Sequence, residues 1–512
     1  MNHKTITFLL GQIFKIVTAL LAVPFITSAI YGELSDPKLL LAYIVPATAL
    51  LAIGFVFTQK RPENFSLHTK DGIITVGISW IMLSVFGALP FFFGTMKNPI
   101  YSDITFIDWL FESVSGFTTT GSTILSGAQI EKLSKGLLMW RSLSVWIGGM
   151  GILLFVLALI PQSSGSGSMN LVQAETTGYS VGKLVSKTAV SAKILYYIYT
   201  AMTFLQLVLL LPSAFFEGGT GLFDAIILSI GTAGTGGFTA NALNLGGYNV
   251  YVQVVSGIFM FLFGISFNIY FLIIAGKTKD IIKNEELRFY VGILFAAFLL
   301  IALNFWLNSG TSFLSALPYA AFTSVSVMTS TGFDITAAAG LPYFTASWHT
   351  FSRIILLVLM FVGACGGSTG GGLKCSRTLI IIKSAIVKCK STLNPRAVYS
   401  VKLNGKKIDE KTLAGINNYF VLYIGFCLVL TMLISLDPMS AADGQPFFTS
   451  LSAAAACIGN VGSGLTPSIG TVGSYFGFLP STKIIMSFAM LLGRLEIYPI
   501  LLLFMPKTYS RI

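Results

Sequence analysis

Four short patches of this 512-residue chain combine glycine with oxygen-bearing neighbours: TTTGST at 118–123, GTGGFT at 234–239, TSTGFD at 329–334 and GNVGSG at 459–464. Aligned on a central glycine, they place Gly121, Gly236, Gly332 and Gly462 in one column, at intervals of 115, 96 and 130 residues. What these patches offer is oxygen. Backbone carbonyls turned inward by a glycine-rich loop can replace the hydration shell of a monovalent cation such as potassium, and Thr and Ser hydroxyls add to the set. Glycine suits the task because a Cβ would restrict the dihedrals that turn a carbonyl inward. The candidate ion-binding residues are Thr119, Thr120, Gly121, Thr235, Gly236, Thr331, Gly332, Val461 and Gly462. The bland reading of any one patch is a glycine hairpin that lets helices pack closely. Four in the same context weigh against it.

That context is a repeat. Each patch ends an apolar stretch too short to cross a bilayer, at 102–117, 221–233, 312–328 and 445–459. Each stretch follows one run of about 20 apolar residues and precedes another, the length that spans a hydrocarbon core. A short helix ending at the patch points its negative C-terminal end at the loop, which again favours a cation. Irregular backbone cannot face lipid with unsatisfied N–H and C=O groups, so four such loops require a central path. The expected fold is all-α and transmembrane. Its four pseudo-repeats of span, pore helix, filter loop and span occupy 71–162, 188–276, 286–390 and 412–506, the third with a broken second span. Two further transmembrane helices lie in 1–60, giving ten spans with both termini inside. Runs near 39–58, 73–93, 194–213, 251–275, 289–307 and 419–436 are the clearest spans.

Composition agrees. The chain is 54% hydrophobic and only 10% charged, where soluble chains carry about 25% charged residues. With the N-terminus inside, inner segments hold 23 of the 32 Lys and Arg and outer ones 7, with Lys15 and Arg494 in spans; this is the positive-inside bias. The net charge of +12 is therefore a topology signal, and nucleic-acid binding is a poor reading of it. The longest inner segment, 373–413, carries ten Lys or Arg, including Lys402, Lys406 and Lys407. It is equally a positive-inside anchor, a partner's dock or a surface for anionic membrane lipid. His3, His68 and His349 lie far apart, and the five cysteines lack metal-ligand spacing. An intramembrane enzyme would need a convergent acid–base or nucleophilic set, so no catalytic residue and no organic cofactor are expected.

Two further features sit inside apolar runs. GACGGSTGGGLKCSR at 363–377 interrupts a stretch that should be one span, and each glycine costs a helix about 1 kcal/mol against Ala. A phosphate-binding loop needs Gly-Lys-Ser/Thr, and here Leu373 separates Gly372 from Lys374. The segment reads as a gate below the filter, comprising Gly366, Gly367, Ser368, Thr369, Gly370, Gly371 and Gly372, or as a passive kink. GRLEIYP places Arg494 and Glu496 in the last span, where charges are costly and face a bundle interior. Two residues apart on a helix they do not meet, so each needs another partner. Arg494 can bond carbonyls of the broken loop and put a positive barrier in a cation path, or belong to a structural pair. Asp334 is either an outer-mouth cation attractor or a loop cap, Glu112 a brace for its own helix, and GGMG at 148–151 a packing motif.

The pieces SGFTTTGST, WRSLSVWIGGMGI, TAGTGGFTAN, STGFD, GGSTGGGLK, GNVGSG and GRLEIYP, spread over about 113–499, resemble the membrane subunit of the bacterial Trk potassium-uptake system, within the Trk/Ktr/HKT superfamily. The two extra N-terminal spans look like the Trk branch. The resemblance implies a pseudo-fourfold pore in the cytoplasmic (inner) membrane, a homodimer and a cytosolic nucleotide-binding regulatory subunit. It implies filter positions at Gly121, Gly236, Gly332 and Gly462, a gating loop at 363–372 and a gate arginine at Arg494. Relatives with serine at the first filter position commonly prefer sodium, so Gly121 favours potassium. TAGTGG departs from the family pattern at Ala233 and Gly234, where hydroxyl residues are frequent. The competing reading is an alternating-access secondary transporter for another monovalent cation such as sodium. It predicts broken helices in paired halves and midplane acids, whereas this chain has four units and one clear midplane acid, Glu496.

Overall fold

The structure is a computed structural model, and it describes residues 3–60, 69–151, 188–309, 312–336 and 348–506. The end of the first expected repeat, 152–162, lies outside the described residues.

The chain opens with α1 (His3–Leu20) and α2 (Ala22–Ile30), followed by α3 (Pro37–Thr58). Asp36 starts α3 by accepting the Lys38 N–H, with Pro37 in the first turn, where a missing N–H costs nothing. Helices α1 and α3 cross closely because Gly11 and Gly54 face each other's backbone: a Cβ on Gly11 would lie 2.9 Å from the Gly54 oxygen. Small residues permit such an approach. Lys15 reaches along the crossing to the Thr58 hydroxyl at 2.6 Å.

Four units follow. The first comprises α4 (Thr69–Thr95), α5 (Phe106–Phe117), α6 (Gly127–Lys132) and α7 (Lys135–Met150). The second has α8 (Thr188–Leu210), α9 (Leu222–Ala233), α10 (Val250–Phe263) and α11 (Phe267–Ile274), then the small α12 (Thr278–Ile282). The third has α13 (Glu285–Ser309), α14 (Phe313–Met328), α15 (Thr350–Val362) and α16 (Cys375–Leu393). A hairpin of β1 (Lys402–Leu403) and β2 (Lys406–Lys407) precedes the fourth: α17 (Glu410–Ser435), α18 (Pro446–Ile458), α19 (Pro480–Arg494) and α20 (Tyr498–Phe504).

The four short helices expected from the sequence are α5, α9, α14 and α18, and they occupy the interior. In α5 the residues from Glu112 to Phe117 are all buried, as are those from Ser452 to Ile458 in α18. Thr105 and Asp108 form a capping box that starts α5, and Phe91 of α4 stacks on Trp109 at 5.3 Å. The long helices instead show apolar side chains outward, such as Phe204, Phe295, Val421, Leu428 and Met432. Only 28% of the apolar window in 193–215 is buried, so lipid is the solvent for that face.

Among the described residues six helices are long and apolar enough to cross a membrane, or seven if one bent pair counts as one span. The difference from ten has a local cause. In the second, third and fourth units the run after the glycine patch is broken or bent, and in the first the described helix is too short to span. Helix α7 ends at Gly151, which has φ +85°. The apolar run at 251–275, expected as one uninterrupted span, bends by 89° between Phe263 and Phe267. The run after Thr350 breaks at Gly363 and resumes at Cys375. The last breaks at Glu496 and Ile497, both at φ +61°. The sequence pointed to one of these breaks, the glycine-rich one.

Candidate functional site: four glycine loops over a broken helix

The four short helices end alike. Two residues past each last helical residue stands a non-glycine in the left-handed region: Thr119, Thr235, Ser330 and Asn460, with φ between 52° and 57°. Two residues later comes a glycine with positive φ: Gly121 (84°), Gly237 (64°), Gly332 (79°) and Gly462 (92°). The residue between donates its N–H five residues back. Thr120 bonds Ser115 at 2.8 Å, Gly236 bonds Gly231 at 3.1 Å, Thr331 bonds Ser326 at 2.9 Å and Val461 bonds Ala456 at 2.9 Å.

This geometry corrects the alignment in the second unit. Gly237, not Gly236, is the counterpart of Gly121, Gly332 and Gly462, and Gly236 stands level with Thr120, Thr331 and Val461. The Thr-Gly pair anchored the sequence alignment, but the helix end sets the count, and two consecutive glycines hid the difference.

The corrected set closes a ring. A Cβ on Gly121 would fall 2.2 Å from the Gly236 carbonyl oxygen, and one on Gly237 2.0 Å from that of Thr331. On Gly332 it would fall 2.7 Å from the Val461 oxygen, and on Gly462 2.3 Å from the Thr120 oxygen. Each loop thus lays one carbonyl against the glycine of the loop before it, in chain order, and the fourth glycine returns to the first loop. No side chain fits at these contacts. The four glycines also line one shared cavity, with Ser122, Ser463 and Tyr475 beside them.

Hydroxyls and amides brace the ring from behind. Thr118 pairs with Thr120 at 2.7 Å, and Thr329 with Thr331 at 2.8 Å. The Asn460 amide donates to the Thr120 hydroxyl at 2.9 Å and to the Met490 carbonyl at 3.0 Å, tying the fourth loop to the first and to α19. Ser122 and Tyr475 both donate to the Gly462 carbonyl. Glu112 braces the chain beyond the first glycine loop rather than its own helix. It accepts the Ile124 N–H and the Thr123 hydroxyl and pairs with Arg141 at 2.6 Å. Arg141 then donates to the Thr239 carbonyl in the second unit and lies 3.5 Å over the Phe238 ring. Sequence reasoning assigned Arg141 no role, although a charge in an apolar run was the available signal. Asp334 is buried and accepts from Thr336 and Thr471, which makes it a loop cap.

The broken segment of the third unit lies against the third and fourth loops. Gly371 donates its N–H to the Ser330 hydroxyl at 2.6 Å, and Gly372 donates to the Gly459 carbonyl at 2.9 Å. A Cβ on Gly370 would lie 2.9 Å from the Thr329 oxygen. Its other side is stitched to the bend of the second unit, where Cys365 donates to Gly264 and Phe267 donates to Gly367. Gly363, Gly367 and Gly372 have φ of 69°, 73° and 78°. Buried Lys374 turns its ammonium onto the Gly370 carbonyl.

Arg494 joins this segment to the first unit. It donates to the Thr369 carbonyl at 3.1 Å and to the carbonyls of Gly148 and Gly149. The GGMG stretch therefore supplies acceptors as well as close packing. Glu496 pairs with Arg377, so the two charges of GRLEIYP do find separate partners. Glu286, unmarked in the sequence, accepts the N–H of Gly366 at 2.6 Å and of Ser376 at 3.1 Å. Its partners stand 80 and 90 residues away, which no local pattern reveals.

An apolar exterior around a bundle whose centre offers carbonyl and hydroxyl oxygens defines an integral membrane protein of the cation-handling class. Residues 47–511 match the TrkH family, described as cation transport protein, and the chain belongs to that family. It is 31% identical to the Trk system potassium uptake protein TrkG of Escherichia coli K12, over 98% of this chain and 97% of the relative. It is 30% identical to the Trk system potassium uptake protein TrkH of the same strain, over 99% and 100%. The crystal structure of the potassium transporter TrkH from Vibrio parahaemolyticus matches with a TM-score of 0.83 at 27% identity, covering 100% of both chains. The resemblance seen in the motifs thus holds across the whole length. The chain is a membrane transport protein and not an enzyme.

Proposed function

We propose that this protein takes up potassium across the cytoplasmic membrane through a pore formed where the four glycine loops meet. The observation that carries this reading is the closed ring of carbonyl-to-glycine contacts running 121–236, 237–331, 332–461 and 462–120. Four loops follow one another in cyclic order, and the glycine of each lines the same small cavity. Such a cage replaces the hydration shell of a weakly hydrated monovalent cation. The filter comprises Thr119, Thr120, Gly121, Thr235, Gly236, Thr331, Gly332, Val461 and Gly462, to which Gly237 is added. The helix C-termini of α5, α9, α14 and α18 end at these loops, so their negative ends favour a cation.

The segment 363–372 is the gate, and Arg494 is its latch. A guanidinium presents several donors in a fixed fork, and here it holds the broken loop to the first unit while placing a positive charge beside the cation path. Release of these bonds is the opening step. In this reading each unit contributes two spans, the second of them interrupted, and α1–α2 and α3 complete ten, with both termini inside. The functional particle is a homodimer whose gate answers to a cytosolic nucleotide-binding subunit. Relatives named as parts of a Trk uptake system support a multi-component assembly.

The test is rescue of a potassium-uptake-deficient cell at low external potassium, followed by flux in proteoliposomes. Gly121→Ser is expected to support growth only at higher potassium and to lower the potassium preference over sodium. Its Cβ cannot be accommodated against the Gly236 oxygen without a shift of the second loop. Unchanged selectivity in this variant sinks the filter assignment, and currents that require alternating access favour a carrier over a pore.

A further inference from the structure

Helix α13 opens with two adjacent carboxylates, Glu285 and Glu286, and they face different parts of the molecule. Neighbouring helix positions lie about 100° apart around the axis, so consecutive side chains diverge. Glu286 accepts the N–H of Gly366, inside the broken segment, and of Ser376, at the segment's exit into α16. Glu285 turns to the β1–β2 hairpin instead. It accepts the Asn404 N–H at 2.6 Å and the Lys383 ammonium at 2.9 Å. The Asn404 side chain returns a bond, accepting the Glu285 backbone N–H at 2.8 Å.

The hairpin is a firm body rather than a loose loop. Asn404 (φ 51°) and Gly405 (φ 76°) make the two-residue turn that Asn-Gly favours, with Lys402 opposite Lys407 and Leu403 opposite Lys406. Val401, Leu403 and Ile408 are buried with Ile380 of α16 and Ile416 of α17. Lys383 of α16 also donates to the Lys402 carbonyl at 2.9 Å. The outward residues Lys402, Lys406 and Lys407 are exposed. A displacement of this hairpin is therefore transmitted at Asn404 to the main chain of Glu285, one peptide bond from the residue that anchors the broken segment.

We propose that Glu285 and Glu286 act as paired positioning residues that couple the basic hairpin at 402–407 to the segment 363–374. The functional consequence rests on the reading of that segment as the gate. Loosening the hairpin from Glu285 moves the start of α13, withdraws the Glu286 carboxylate from Gly366 and Ser376, and frees the segment at its entry and exit together. The bonds of Gly371, Gly372 and Arg494 remain, so the release is partial.

The experiment uses the full chain in liposomes with Cys389→Ser, which removes the exposed thiol; of the four buried thiols that remain, Cys365 and Cys375 lie in and beside the segment and are followed by peptide mapping, separately from Cys427 and Cys457. The readouts are the rate of maleimide modification of Cys365 and Cys375 and rubidium flux. Asn404→Asp keeps a residue that tolerates the left-handed turn and sets a negative charge against Glu285. It is expected to raise both rates several-fold, as are Glu285→Gln and, most strongly, Glu286→Gln. Combining Asn404→Asp with Glu286→Gln should add little to Glu286→Gln alone. Lys407→Ala, on the far strand, should leave both rates unchanged. Wild-type thiol reactivity in both Asn404→Asp and Glu285→Gln, with Glu286→Gln reactive, overturns the coupling. Raised thiol reactivity with unchanged flux supports the coupling and overturns the gate reading on which its functional meaning rests.

Discussion

The two glycine-rich regions of this protein both press glycine against main chain, but they are held in place differently. In the filter loops each key glycine is pressed by a backbone carbonyl of the next loop, at distances that forbid any Cβ, and the pattern recurs four times in the same order. In the broken segment glycines also meet main chain, a Cβ on Gly371 falling 2.1 Å from the Gly459 oxygen, but side chains from outside add much of the hold, Ser330, Glu286 and Arg494, while its own Lys374 folds onto Gly370. A backbone-on-backbone ring has no part that can let go without disturbing its neighbours. A segment pinned by side chains can be released at one pin while its own bonds persist. A selective element needs fixed oxygen positions and a gate needs a second arrangement of similar energy, so the two constructions suit the two tasks proposed for them.

The largest expected effect breaks the ring. Gly237→Ala places a Cβ 2.0 Å from the Thr331 oxygen at φ +64°. The left-handed backbone alone costs about 1–2 kcal/mol for a non-glycine, and the contact falls on main chain that cannot rotate away. Uptake should be lost. Gly236→Ala meets the side chain of Val145 at 2.5 Å, so its defect should be partly rescued by Val145→Ala, measured as potassium uptake in the deficient cell. Rescue of Gly237→Ala by the same partner, and not of Gly236→Ala, would restore the alignment that placed Gly236 in the filter column.

An intermediate effect comes from the latch. Arg494→Ala removes the bonds to Thr369, Gly148 and Gly149 and a positive charge. It should raise basal flux and weaken dependence on a regulatory partner, with the potassium preference retained. Arg494→Lys keeps the charge but not the fork. It should therefore sit between wild type and alanine if hydrogen bonding holds the segment, and match wild type if charge alone blocks the path. Reduced flux in a well-folded Arg494→Ala protein would assign the residue to support of the bundle instead.

Much of this arrangement was legible in the sequence because it is encoded locally. The short helices ended where the Gly/Thr patches said they would, at Phe117, Ala233, Met328 and Ile458, and the five clustered glycines after Cys365 could not continue a helix. What escaped was encoded between distant residues or in a choice that composition leaves open. The second-unit register turned on which of two adjacent glycines counts from the helix end. The 89° bend after Phe263 lies in an apolar run whose hydropathy is the same straight or bent, and its cause is the pairing of Gly264 and Phe267 with a segment a hundred residues on. The Glu112–Arg141 pair spans 29 residues and the Glu286 contacts 80 or more. The hairpin at 402–407 was the exception: Asn404-Gly405 was a local signal that went unread beside so many lysines.

The smallest expected effect tests whether filter and gate are separate at all. Gly371 donates its N–H to the Ser330 hydroxyl at 2.6 Å, and Ser330 is itself a residue of the third glycine loop in the left-handed region. Ser330→Ala removes that acceptor and the hydroxyl's bond to the Thr329 carbonyl, and leaves in place the main-chain bonds from Thr331 to Ser326 and from Gly372 to Gly459. An unmet buried N–H costs about 1–3 kcal/mol, and about 1.4 kcal/mol is a tenfold change in an equilibrium. Water entering a cation path can satisfy the N–H, so the lower end applies and basal rubidium flux should rise by less than about tenfold. If the two regions work as distinct devices, the potassium-to-sodium ratio stays at its wild-type value while flux rises. A fall in that ratio would mean that the broken segment also holds the third filter loop in shape, and that opening the gate loosens the ring above it.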